Sequence, residues 1–173
     1  MGKSAALVLL GVLMIVCIVP VPMYAERDKP LLSARDFNQL DLVNPNRCID
    51  GRFVRNDRRG IVVDRCLGLE WIVGPDEDTT WDQAESWVES LSTNGGEWRM
   101  PAREELRSLY TKDAGAFNMS PTFKTHSRFV WTGEMVDSSH AWGFCYASGN
   151  EFWPRNSYSQ GARAFAVRFQ RPK

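Results

Sequence analysis

The sequence predicts an α+β domain over residues 48–173, with two helices packed on short antiparallel sheets and long loops in the second half. Three observations carry that expectation. A hairpin pattern occupies residues 48–66, a capped amphipathic helix begins after Thr80, and beyond residue 111 aromatic or β-branched runs alternate with polar turns. The 173-residue length and 43% apolar content suit one domain rather than two.

The first 25 residues carry one basic residue, Lys3, and no further charge until Glu26. Their apolar run, Ala5 to Val19, is shorter than a bilayer-spanning helix and matches the apolar part of a secretory signal. Ala25 offers a cleavage point, although Met23 is bulkier than such sites prefer; an uncleaved N-terminal anchor is the alternative. Val16 is too large for a lipoprotein signal at Cys17. Either route exports the domain to a periplasmic or extracellular, oxidising setting. Residues 26–47 read as a lead-in with one short helix over "SARDFNQL".

In "CIDGRFVRNDRRGIVVDRC" the polar "RNDRRG" separates two apolar strands. Cys48 and Cys66 flank this hairpin, and a disulfide between them is worth roughly 3 kcal/mol through loop entropy. Cys145 is left over, either as a buried inert thiol or for intermolecular pairing. Arg47, Arg52, Arg55, Arg58, Arg59 and Arg65 cluster here, whereas residues 66 to 98 hold eight acids and no Lys or Arg. Arg58 and Arg59 are therefore candidates for contact with sulfated or phosphorylated glycans. The alternative is a solvated turn that discourages edge pairing, diluted by Asp50, Asp57 and Asp64. Removing residues 1 to 25 leaves 20 basic against 21 acidic residues, which predicts no nucleic-acid partner.

"GLEWIV" follows as a strand with Leu69, Trp71 and Val73 on one face. Thr80 and Gln83 form a capping box, and Trp81, Ala84, Trp87, Val88 and Leu91 make one apolar stripe. "NGG" at 94–96 is expected to stop this helix. Asp76, Glu77, Asp78 and Asp82 are read as complements to its dipole in preference to a calcium loop. In "EWRMPAREEL" the chain turns from an extended Arg99 through Pro101 into a second helix with Leu106, Leu109 and Tyr110 inside. Adjacent Glu104 and Glu105 point about 100° apart and make a poor acid–base pair. The stretch reads as a scaffold corner in which Arg99 meets a carboxylate. "RFVWTG", "HAWGFCYA", "NEFWP" and "RAFAVRFQ" then supply four strands.

"GLEW" at 68–71, "TWDQAESW" at 80–87, "EWRMPAREEL" at 97–106, "FVWTG" at 129–133, "AWGF" at 141–144 and the closing "AFAVRF" resemble the Lcl C-terminal domain family. This is the bacterial domain of unknown function numbered 1566. The resemblance covers about residues 50 to 170. It implies an exported domain with a C-type lectin-like fold, shared with formylglycine-generating enzymes, and founding members that are adhesins for sulfated glycans. Ala102 departs from the family's helix-capping Thr, which should weaken that cap by roughly 1 kcal/mol. Phe169 stands near the family's usual second cysteine and leaves Cys145 without its obvious strand partner.

No nucleophile elbow, phosphate loop or zincin helix occurs. His126 and His140 lack metal-ligand spacing, and His140 and Cys145 fall on opposite faces of one strand. The expectation is a domain without catalysis, cofactor or metal. It is expected to be a calcium-independent binding module for a glycan or other envelope ligand, with an envelope assembly role as the alternative and a formylglycine-type catalyst behind both. "GNEFWPRNSYSQG" supplies the candidate ligand residues Glu151, Trp153, Arg155, Asn156 and Tyr158, beside Arg58 and Arg59. Trp71, Trp81, Trp98, Trp131 and Trp142 are assigned to the core.

Overall fold

The arginine-rich stretch folds back on itself because Gly60, at φ 66°, closes its turn. In the computed structural model, which describes residues 51–91 and 96–170, this gives β1 (Phe53–Asn56) and β2 (Ile61–Asp64). β3 (Leu69–Val73) and β8 (Phe165–Phe169) complete a four-stranded antiparallel sheet in the order β1-β2-β3-β8. Asp64 is fully buried and closes the β2–β3 turn. Its Oδ1 accepts from the Cys66 and Leu67 amides at 2.9 and 3.1 Å, while Arg52 Nη2 donates to Oδ2 at 2.6 Å. The N-terminal signal, the lead-in and Cys48 lie outside the described residues, so the expected partner of the buried Cys66 does too.

The second sheet contains β4 (Phe129–Asp137), β5 (His140–Cys145), β6 (Asn150–Phe152) and β7 (Ala162–Arg163), ordered β6-β5-β4-β7. "RAFAVRFQ", expected as one strand, breaks at Ala164: β7 joins this sheet and β8 the other. β7 also pairs with β4 in parallel, a departure from the all-antiparallel expectation. The crossing is close, since the Gly74 amide donates to the Ala164 carbonyl at 2.9 Å. A Cβ on Gly74 would stand 2.6 Å from that oxygen.

Thr80 caps α1 (Trp81–Ser90) in the expected box. Its Oγ1 accepts from the Gln83 amide at 3.3 Å and Gln83 Oε1 from the Thr80 amide at 2.9 Å. Two indoles then bolt this helix start to β4: Trp81 Nε1 donates to the Thr132 carbonyl at 2.8 Å, and Trp131 Nε1 to the Thr79 carbonyl at 2.7 Å. The helix ends at Ser90, with extended Leu91 as its C-cap, before Asn94 is reached. "NGG" is therefore not its stop; Gly96 and Glu97, at φ 77° and 64°, instead turn the chain toward Trp98. Asp76 and Asp78 correct a second expectation. They receive Arg163 at 2.8 Å each and pin the loop to β7 rather than serving the helix dipole. That guanidinium holds both carboxyls below their usual range.

The corner "EWRMPAREEL" takes its shape from one ion pair. Arg99 bridges Val167 in antiparallel fashion and so extends the first sheet past β8. Its guanidinium donates to both oxygens of Glu105, at 2.6 and 2.7 Å, and Glu105 is fully buried. Glu105 Oε2 also accepts from the Ala102 amide at 2.8 Å. Thus α2 (Arg103–Ser108) starts after Ala102, the expected cap position, with Pro101 outside it. Ala102 offers no side-chain cap, yet the exposed amide beyond it is not orphaned: Glu134 Oε1, from β4, accepts from the Arg103 amide at 2.9 Å. That satisfies the first free amide of the helix from outside, a different amide from the ones a threonine cap would take.

Leu106 and Leu109 of the α2 region, Trp71, Phe144, Tyr146 and Phe165 share one buried cluster. Trp81, Val88, Trp98, Phe129 and Trp131 share the other, on the opposite face of the second sheet. A short 3-10 turn, Pro121–Phe123, was not legible in the sequence and buries Phe123 against Phe165.

The two adjacent glutamates should respond oppositely to neutralisation. Glu105→Gln leaves Arg99 half-satisfied in the core margin and should cost about 3 kcal/mol in urea unfolding. Glu104, whose buried Oε2 has no partner, should tolerate Gln within about 0.5 kcal/mol.

Candidate functional site

Alternation along β5 and β6 sorts their side chains onto two faces. Gly143, Cys145 and Phe152 face α1 with Phe129 and Trp131. Phe144 and Glu151 are cross-strand partners on the other face, toward α2, and Trp142, two positions before Phe144, shares that face. α2 has only six residues, so it covers Phe144 and Tyr146 and leaves Trp142 half-exposed at its margin. Trp142 was assigned to the core by alternation; the outward face corrects that, while Trp71, Trp81, Trp98 and Trp131 are buried.

Trp153 meets Trp142 edge to face, with ring centroids 4.9 Å apart at 63°. It is 56% exposed, more than any other large apolar side chain among the described residues. Underneath, the Arg103 guanidinium lies 4.4 Å from the centre of the Trp142 ring. That guanidinium is held from both sides, by Glu134 at 2.8 Å and by Glu151 at 3.6 Å. Arg107 contacts Glu151 closely and reaches Glu104 at 3.7 Å. The result is a fixed aromatic ledge on an ionic lattice, built from α2, β4, β5, β6 and the segment after β6.

The sequence-predicted residues divide over this surface. Glu151 and Trp153 belong to the ledge. Tyr158 lies on the other face against Phe129, at 6.2 Å. Asn156 is half-buried and works through its backbone, accepting from the Trp81 amide and donating to the Ser139 carbonyl, each at 2.9 Å. Arg155 is exposed beside the ledge and bridges His140 through its backbone. Arg58 and Arg59 stand exposed in the β1–β2 turn of the other sheet. Arg103, Arg107, Glu134 and Trp142 were not among the predicted site residues. One signal was available: a basic residue opening a helix opposes the dipole unless something else holds it.

No group of three or more metal-ligating side chains occurs among the described residues. His140 Nδ1 sits 3.1 Å from Asp137, and Cys145 is a half-buried free thiol on the other face. No helix among the described residues is long and apolar enough to cross a membrane.

The pattern of the Lcl C-terminal domain matches residues 60–168, well over half of the chain, and the chain belongs to that family. No curated protein matches it. The matched span holds the corner, both helices and the whole aromatic ledge; it begins after Arg58 and Arg59.

The turn beside the ledge carries its own titration. Asp137 Oδ1 accepts from the Ser139 amide at 2.7 Å and the His140 amide at 3.0 Å; the Ser139 amide first, then the His140 ring and the Ser139 hydroxyl, bring its carboxyl down to about 2. Because the folded value lies below the unfolded one, about 3.9, the bonds stabilise the turn fully above that pH and are lost as pH falls through 2. A carboxyl NMR titration should give a midpoint near 2 for Asp137. Asp137→Asn should abolish the pH dependence of the turn amides between those values.

Proposed function

We propose that this Lcl C-terminal domain protein is an exported, non-catalytic binding module that recognises a glycan or another extracellular or envelope ligand through the Trp142–Trp153 ledge. The observation that carries this reading is the exposure of Trp153 on a foundation that is otherwise locked. A broad indole face held by a second indole and four ion pairs loses little freedom on binding, and such rigid aromatics are the usual anchors of recognition. Side-chain donors and acceptors surround it, as polyhydroxylated ligands require.

A non-catalytic role is supported by how the reactive side chains are employed. Glu105 is consumed by Arg99 and the Ala102 amide, and His140 by Asp137. Two small sheets with two helices, and loops gathered after α2, support a C-type lectin-like arrangement. Export brings an oxidising setting, in which we propose a Cys48–Cys66 disulfide. Non-reducing peptide mapping should recover those two cysteines linked, and reduction should lower stability by about 3 kcal/mol.

A second reading, an assembly role toward an envelope protein, is favoured by Met135 and Val136, which are 39% and 45% exposed at the far end of β4. A glycan array probed with the purified chain separates the two. The binding reading expects saccharide hits that Trp153→Ala weakens by at least about tenfold with folding intact. An array blank for wild-type protein, with a protein cross-link mapped to Met135 or Val136, would instead establish the assembly role.

A further inference from the structure

We infer that the outer edge of the second sheet pairs with the same edge of a second copy of this chain, strand against strand about a two-fold axis at Trp153, whatever ligand the ledge takes. β6 is the last strand of its sheet, and among the described residues no strand lies beyond it. Its pairing with β5 runs on past Phe152: the Ala141 amide donates to the Pro154 carbonyl at 3.2 Å, and the Asn156 amide to the Ser139 carbonyl at 2.9 Å. Phe152, Pro154 and Asn156 therefore turn their backbone groups inward to β5. By the alternation of an antiparallel ladder, Glu151, Trp153 and Arg155 turn theirs outward to the open edge. Pro154, which has no N–H to give, sits at an inward position and leaves that edge intact. The Arg155 carbonyl already accepts from the Tyr158 amide at 2.9 Å, and the chain turns away there.

The side chains on this edge form their own complement. Turned about Trp153, the order Glu151, Trp153, Arg155 sets Glu151 opposite the partner's Arg155, Trp153 opposite the partner's Trp153, and Arg155 opposite the partner's Glu151. A two-fold interface requires that one patch fit itself in this way. Arg155 is exposed and has no carboxylate partner among the described residues, and Trp153 is the most exposed large apolar side chain. On the opposite face of the sheet the same register sets the half-buried Phe152 against the partner's Pro154. Opposite charges and aromatic pairs at facing positions favour strand pairing, and the open edge supplies the backbone bonds. Side chains stand across a sheet rather than along it, so each Trp153 ring keeps a face outward and the two Trp142–Trp153 ledges join into one. An interface of this size belongs with transient contacts, and its Kd is expected on the order of tens of micromolar.

Sedimentation equilibrium of the purified chain, from about 5 μM to about 1 mM, should show the mass rising from one chain to two. Arg155→Glu and Glu151→Arg each set like charges opposite one another and should weaken self-association at least about tenfold. Mixing the two variants should restore it, because both cross-strand pairs are then opposite in charge. Trp153→Cys reports the register: the two facing Cα atoms would lie about 5.5 Å apart, within disulfide reach, and oxidation should link two chains through the introduced thiol. Ser157→Cys, past the end of the pairing, should not link. A single chain at every concentration would overturn the inference and leave the edge to a strand of another protein. A dimer that neither charge variant weakens, or variants that fail to recover on mixing, would overturn it as well. Circular dichroism certifies folding; if Glu151→Arg, which removes the partner of Arg107, does not fold, the presence or absence of the Trp153→Cys cross-link decides.

Discussion

The bidentate pair between Arg99 and Glu105 sets the position of almost everything discussed above. Arg99 is held on one side by backbone bonds to Val167, so its guanidinium projects from the edge of the first sheet at a fixed place. Glu105 must meet it inside the protein, where a carboxylate is tolerated only when paired and hydrogen-bonded. Those two demands fix where α2 begins and how it is rotated about its axis. Once rotated, Leu106 enters the core, while Arg103 and Arg107 are delivered to Glu134 and Glu151 on the second sheet. The aromatic ledge is thus a consequence of a buried ion pair in the neighbouring corner.

That arrangement also explains how a helix of six residues survives. Isolated helices of that length are unstable, and Ala102 deprives this one of its local cap. Its own Glu105 accepts from the Ala102 amide, and the rest comes from outside: a carboxylate from β4 on the Arg103 amide and Tyr146 donating to the Leu106 carbonyl at 2.8 Å. Full burial of that phenol pushes its pKa well above the ordinary tyrosine value, so it stays a donor throughout the physiological range. The same contacts that hold the helix hold the ledge, which joins fold stability to the geometry of the two exposed indoles.

Local chemistry made much of the fold legible. Thr80 with Gln83 marked the first helix, the polar turn around Gly60 marked the first hairpin, and Pro101 marked the corner as scaffold. Long-range partners were the unreadable part. Alternation along "HAWGFCYA" says that Trp142 and Phe144 share a face, but not that α2 would bury Phe144 while Trp142 lay half-exposed beside its first residue, Arg103. Asp76 and Asp78 lie next to a helix start in sequence, yet Arg163 claims them from more than eighty positions away. Within "GNEFWPRNSYSQG" the residues themselves were visible as a candidate site, whereas the split that sends Trp153 to one face and Tyr158 to the other depends on β6 pairing with β5.

The dependence of the ledge on the corner is open to direct observation by fluorine NMR of protein labelled with 5-fluorotryptophan, comparing wild type with Glu105→Gln under conditions where both are folded. Trp142 and Trp153 touch neither Arg99 nor Glu105. The account predicts that both their resonances nevertheless shift or broaden, because α2 loses its rotational anchor, while Trp87, on α1 against the other cluster, stays in place. Unchanged Trp142 and Trp153 signals in a variant destabilised at the corner would contradict it.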